Sequence, residues 1–221
     1  MARIARAKRR GMLPASSILV GQSGPRYKPV MSAVAKPMTL DAFLDWESRQ
    51  ELKYEFDGFQ PVAMTGGTAA HSMVQVNLLG LLFNASRGHR CRVFGSELKI
   101  QVAGGIRYPD AFIVCSPVLP GAVVVRDPVV VFEILSPGTF ETDHFEKNLE
   151  YRDTPSIRRC VMLEQSCRGA TVFSRERDDW VGHVLTGDDD LALPEVEIAL
   201  RVADLYEGVT FPSGPGEALT T

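Results

Sequence analysis

Arg107-Tyr108-Pro109-Asp110-Ala111-Phe112-Ile113-Val114-Cys115 and Asp127-Pro128-Val129-Val130-Val131-Phe132-Glu133-Ile134-Leu135-Ser136-Pro137 are the two runs on which the fold turns. Each is short, rich in β-branched and aromatic residues, and bounded by Pro or Gly, the pattern of a buried strand. Asp110 opens the first run. Glu133 lies inside the second, where an ionised carboxylate is costly unless a positive charge sits against it. A period of two puts Asp110, Phe112 and Val114 on one face of the first strand and Val131, Glu133 and Leu135 on one face of the second. If the strands are neighbours, the two carboxylates converge. Paired oxygen ligands in a cleft suit a hard divalent cation such as Mg²⁺, and such an ion would account for a glutamate at a buried position. Each acid alone has a plainer reading. A strand Glu is often capped by Arg or Lys as a structural ion pair, and an Asp after Pro often belongs to a turn.

The regions around these runs read as a mixed α/β arrangement. Thr39 is placed to cap a helix to about Arg49, with Leu40, Phe43, Leu44 and Trp46 on its apolar face. Lys53 to Met64 reads as a hairpin turning at Asp57-Gly58. Ala69 to Arg87 is the strongest helical segment, with Val74, Leu78, Leu81 and Ala85 in one stripe, Leu82 widening it, and Gly88 beyond its end. His71 falls in its first turn, where a capping or surface role is the ordinary reading and a catalytic one the lesser alternative. Cys91 to Val102 reads as one or two strands, and Gly104-Gly105 turns the chain into the Asp110 strand. A helix from about Thr142 to Arg152 puts Asp143, Lys147 and Tyr151 on one face, each four residues apart. Strands at Arg158–Glu164, Gly169–Arg175 and Trp180–Leu185 follow. A last strand and a helical turn occupy Leu191–Leu205. This order predicts an α/β or α+β domain with a mixed central sheet.

With 221 residues, one domain with a sizeable core is the first expectation. No apolar run approaches the roughly 20 residues of a membrane-spanning helix. Charge is uneven. Residues 1–37 hold eight of the 24 basic groups and none of the 27 acidic ones, so the rest has 16 basic against 27 acidic, a net of −11. A body this acidic does not read as a general coat for nucleic acid, and any such contact has to be local. Residues 1–37 form a basic extension without periodicity: a disordered tail, a targeting peptide, or sequence upstream of a natural start near Met31 or Met38. The first and third readings are preferred. Residues 209–221 read as a flexible tail. Cys91, Cys115, Cys160 and Cys167 show neither C-x-x-C nor zinc spacing, so reduced thiols in a cytoplasmic protein are expected. Asp188-Asp189-Asp190 lacks the glycine and distal glutamate of a calcium loop and reads as a solvated turn.

Glu55, Asp110 and Glu133 come from three separate segments. Around one cleft they would hold a cation and leave positions for water and a phosphate oxygen. An amine beside them would stabilise developing charge. Lys147 is the first candidate, with a surface pair to Asp143 as its plain reading. Lys99 is the second, otherwise an exposed strand residue.

The ordered set Lys53-Tyr54-Glu55 with Asp57-Gly58, Met64-Thr65-Gly66 with His71, Tyr108-Pro109-Asp110, and Val131-Phe132-Glu133-Ile134-Leu135-Ser136-Pro137 with Asp143, Lys147 and Tyr151 resembles the Uma-two family. That family is grouped with restriction endonucleases in the PD-(D/E)XK nuclease superfamily, and the resemblance spans roughly residues 38–208. It implies a restriction-endonuclease-like fold, a mixed sheet flanked by helices. It also implies cleavage of DNA phosphodiesters with Mg²⁺ or Mn²⁺, with RNA not excluded and a homodimer by analogy. By position, Pro109-Asp110 matches the superfamily's Pro-Asp, Glu133 its second acid and Glu55 its additional N-terminal acid. Asp110 and Glu133 would be the metal ligands. The superfamily's lysine belongs two residues after the second acid, where this chain has Leu135. Either Lys147 has taken over that role, or the protein is a weak or inactive nuclease-fold module that binds nucleic acid or protein.

Overall fold

The structure is a computed structural model that describes residues 37–136, 143–177 and 179–211. The expected basic extension and C-terminal tail, and the break at Pro137-Gly138, lie almost wholly outside the described residues. The described part opens with α1 (Leu40–Glu47), capped by the Thr39 side chain, which accepts the Ala42 N–H at 3.2 Å. Its Phe43 is fully buried and stacks on Phe56 with ring centroids 5.0 Å apart. Phe56 ends β1 (Tyr54–Phe56), which pairs antiparallel with β2 (Pro61–Ala63). Asp57 shapes the intervening turn by accepting the N–H groups of Phe59 and Gln60 at 2.8 and 2.7 Å.

A central six-stranded sheet carries the acid strands. Its members are β3 (Arg92–Gly95), β6 (Ala111–Val114), β8 (Val130–Ile134), β9 (Arg159–Leu163), β10 (Gly169–Glu176) and β11 (Asp179–Thr186). They run β11-β10-β9-β8-β6-β3, and only β8 and β9 are parallel. A parallel pair needs a crossover, supplied by α3 (Asp143–Asp153) between them. One sheet face, with Ile113, Phe132, Ile134, Val161 and Leu163, packs against Val74, Leu78 and Leu82 of α2 (Ala69–Ala85). The opposite face, with Phe112, Val131, Cys160 and Met162, packs against Tyr151 of α3. Full burial of each such side chain is worth roughly 1.5–3 kcal/mol, so these two contacts fix where both helices lie.

The mixed central sheet flanked by helices is as expected. A second large sheet is not. β4 (Lys99–Val102), β5 (Gly105–Arg107) and β7 (Val124–Val125) join the hairpin in the order β2-β1-β5-β4-β7. The chain leaves this sheet at Arg107 and enters the central one at Ala111, crossing at Tyr108-Pro109-Asp110, where proline has no N–H to continue a ladder. The final segment is a hairpin of β12 (Asp190–Leu193) and β13 (Ile198–Arg201), each followed by a 3₁₀ turn.

Within this second sheet β1 and β5 approach each other tightly. A Cβ on Gly105 would lie 2.5 Å from the Phe56 carbonyl oxygen, a backbone atom with no freedom to turn away. Gly105→Ala is therefore expected to cost about 2 kcal/mol, seen as a fall in Tm of about 4–8 °C. An unchanged Tm would mean that the strands can separate at no cost.

The cysteine expectation is corrected. Cys91 and Cys115 form a disulfide, while Cys160 is a buried free thiol and Cys167 an exposed one. β3 and β6 are antiparallel with Arg92 opposite Val114, so the next pair along brings Cys91 to Cys115. Their separation of 24 residues conceals this in the sequence. Among the described residues no helix is long and apolar enough to cross a membrane.

Candidate active site

Asp110 and Glu133 are brought together by strand register. β6 and β8 pair with Ala111 opposite Phe132, and one further step sets Asp110 opposite Glu133. The Ile134 N–H donates to Asp110 Oδ2 at 2.8 Å, which ties the aspartate to the strand bearing the glutamate. Asp110 is also held from α2. His71 Nε2 lies 3.2 Å from Oδ2, and Gln75 Nε2 donates to the Asp110 carbonyl at 3.0 Å and to Oδ1 at 3.3 Å. The carboxylate hydrogen bond raises the His71 pKa; burial opposes this, and the Asp110 and Glu133 charges add to it.

Glu133 is 5% exposed and accepts a hydrogen bond at Oε1 from the Tyr151 hydroxyl. Burial pushes its carboxyl up to about 7; Lys147 opposes the rise, and the charges of Asp110 and Glu55 contribute to it. The same burial and the neighbouring acids hold the Tyr151 hydroxyl well above its usual range. Among the described residues no arginine pairs with Glu133. The cation facing it is Lys147, one helical turn before Tyr151 on α3.

Glu55, on β1, does not join Asp110 and Glu133 around a common ion. Its Oε1 accepts from the Tyr108 N–H and Lys147 Nζ, both at 3.1 Å. Its Oε2 lies 3.2 Å from Arg107 Nη1 and 3.0 Å from Lys147 Nζ. Arg107, 2% exposed, grips Glu150 of α3 through Nε (2.6 Å) and Nη2 (2.7 Å). Among the described residues no group of three or more His, Cys, Asp or Glu is disposed to hold a metal ion. Glu55 thus stands beside the carboxylate pair as the anchor of Lys147. The physical reason is charge: Glu55 already faces two cations.

Lys99 is neither exposed nor near the acid pair. It is 7% exposed, pairs with Glu47 of α1, and lies 5.8 Å from the Tyr108 ring centroid. Tyr108 donates its hydroxyl to the other Glu47 oxygen at 2.6 Å. The Leu135 side chain packs with the apolar face of the sheet, leaving the amine to come from α3.

The contact of His71 with Asp110 was not visible in the sequence, and neither were the roles of Arg107, Gln75 and Glu150 in the cluster. Tyr151 had a signal, its four-residue spacing from Lys147. Arg107 had a weaker one, a charged residue at the head of the decisive stretch. The described side chains of the cluster comprise four carboxylates (Glu55, Asp110, Glu133 and Glu150) against the cations Arg107 and Lys147, with His71 a third when protonated.

The chain is a mixed α+β fold with two acids on adjacent central strands. A crystal structure described as a "putative nuclease belonging to DUF820" from Anabaena variabilis superposes with a TM-score of 0.64 at 19% identity, covering 77% of this chain and 98% of that one. The sequence profile of the Uma2 family, described as "putative restriction endonuclease", matches residues 40–203, and the chain belongs to that family. An uncharacterised Synechocystis protein is 29% identical over 184 residues, spanning 81% of this chain and 97% of its own length. A second from the same organism is 23% identical over 163 residues, spanning 71% and 92%.

Proposed function

We propose that the protein is a divalent-metal-dependent nuclease that hydrolyses phosphodiester bonds of DNA. The observation that carries this reading is the pairing of Asp110 with Glu133 beside the buried amine of Lys147. The donor set fits Mg²⁺ or Mn²⁺. Mg²⁺ typically takes one or two carboxylates, keeps several waters and completes its shell with substrate phosphate. Asp110 and Glu133 would hold the ion, which when bound supplies a Lewis acid and a water of lowered pKa.

The chain's own groups do the positioning. Tyr151 donates to Glu133 and fixes its rotamer, while His71 and Gln75 hold Asp110 from the other side. Lys147 keeps a positive charge at the place where negative charge builds on the phosphate. Glu55 holds that amine through both oxygens, so it acts as a positioning residue. Cutting both strands of a duplex takes two such sites, which a homodimer in the cytoplasm would supply. The alternative, an inactive module, draws on Leu135. Lys147 supports the catalytic reading instead, because it places an amine against Glu133 from another element.

The test is supercoiled plasmid incubated with Mg²⁺ or Mn²⁺. Lys147→Ala and Asp110→Ala are each expected to lower cleavage at least about 100-fold relative to the unaltered chain. Cleavage that survives Asp110→Ala would trace to a contaminant. Failure of the unaltered chain to cut DNA or RNA, together with no calorimetric metal binding, would leave the inactive module.

A further inference from the structure

One buried polar group lies next to the site without a role in the chemistry above. Gln165 follows the end of β9, the strand beside Glu133, and is 9% exposed. Its Oε1 accepts from the Thr68 hydroxyl at 2.9 Å. Thr68 is the cap of α2, and its oxygen also accepts the His71 N–H at 3.1 Å. The Gln165 amide is thus seated against the first turn of α2. Its Nε2 is buried and has no hydrogen-bond partner among the described residues. An unpaired buried donor is costly and calls for a ligand or another explanation.

The place where this donor lies favours an anion. The helix has 17 residues and no acidic side chain in its first turn. Its leading N–H groups have no partner within the helix and carry the positive end of its dipole. Just before the helix, an added Cβ on Gly66 would meet nothing within 4 Å, whereas one on Gly67 would meet the His71 ring at 3.0 Å. His71 belongs to the same turn and contacts Asp110, so the turn adjoins the acid pair.

We propose that the first turn of α2 and the Gln165 amide together bind one phosphodiester group of a nucleic-acid strand, beside the one that is cut. A non-bridging oxygen accepts from Gln165 Nε2 and from the N–H groups of Ala69 and Ala70, since those of His71 and Ser72 already donate to Thr68. The proposal rests on the nuclease reading and adds a substrate contact to it. It also meets a difficulty of charge. Outside its first 37 residues the chain has a net charge of −11, which repels a polyanion as a whole. Neutral backbone and amide donors hold phosphate without a cation.

Two measurements test it on the full chain in EDTA, where nothing is cut. The first is the affinity for a short fluorescein-labelled DNA duplex, read by anisotropy over a range of salt. Gln165→Leu is expected to weaken binding about tenfold, since a hydrogen bond to a charged oxygen is lost. The slope of log affinity against log salt should not change, because no cation has been removed. Unchanged affinity overturns the proposal, as does a lowered slope. The second is the NMR signal of the Gln165 side-chain amide and of the Ala69 and Ala70 N–H groups in the unaltered chain. This decides the matter even if the variant fails to fold. DNA and dimethyl phosphate should both shift these signals. No shift with either overturns the proposal, and a shift with inorganic phosphate alone assigns the site to free or terminal phosphate and overturns it too. Metal-dependent cleavage, assayed in parallel, separates the two readings. Cleavage with unmoved Gln165 signals removes the phosphate site alone. DNA-shifted signals without cleavage on Mg²⁺ or Mn²⁺ remove the nuclease activity alone.

Discussion

Glu133→Gln is expected to abolish metal-dependent cleavage while raising the melting temperature at pH 8. Burial lifts the Glu133 carboxyl from 4.5 to about 7 in the folded chain, against the pull of Lys147. Between those two pH values the folded protein keeps a proton that the unfolded chain has released. Folding stability therefore falls as pH rises through that window, and the whole penalty is present above it. A shift of this size corresponds to an amount on the order of 3 kcal/mol. Glutamine has nearly the same shape and can still accept from Tyr151, but it cannot ionise. The variant should then melt about 5–10 °C higher at pH 8 and close to the unaltered chain at pH 4.5. Its cleavage should fall at least about 10³-fold, since one of two carboxylates for the cation is gone. Mg²⁺ should raise the melting temperature of the unaltered chain at pH 8 and leave that of the variant unchanged. Thermal melts with and without Mg²⁺, together with a plasmid assay, check all of this. Coincident melting curves at pH 8 would show that the carboxylate is already compensated. A variant that still cuts would remove Glu133 from the site.

The second large effect is on stability. Arg107→Met is expected to cost about 3–5 kcal/mol, because the buried Glu55 and the partly buried Glu150 lose their guanidinium. Burial works against the charge of Arg107, yet its hydrogen bonds to Glu150 and the charges of Glu150 and Glu55 prevail and hold its pKa above the ordinary value. Tm should drop by about 6–20 °C. Adding Glu150→Gln should restore part of the loss, since one unpaired charge then disappears. A drop no larger than that of a surface pair, about 1 kcal/mol, would mean that water reaches the cluster. The role of Arg107 differs from that of Glu133. It joins β5 to α3 and so holds the helix that carries Lys147 and Tyr151 against the second sheet.

The cost of Glu133 and the need for Arg107 both follow from a site that could be read only in part from the chain. Asp110 and Glu133 stood out because an acid in a β-branched run breaks the local pattern. Lys147 and Tyr151 stood out by helical spacing. Glu55 was legible as an acid but not as the anchor of an amine, because nothing nearby in sequence shows that Arg107 and Lys147 will face it across separations of 52 and 92 residues. Lys99 looked exposed by strand alternation, yet α1 covers it with Glu47. The Cys91–Cys115 bond depends on the register of two strands, and Gln165 meets Thr68 across 97 residues.

The sequence by itself determined the local elements and their periodicity, since caps, turns and apolar spacing act over a few residues: Thr39 as a helix cap, Asp57-Gly58 as the hairpin turn, and the two acid strands. Tertiary structure alone decided how charge is shared. Antiparallel register set Asp110 opposite Glu133, and the packing of α3 delivered one lysine to Glu55 and one tyrosine to Glu133. Electrostatic partnership depends on distance and burial in three dimensions, and a linear order of residues carries neither.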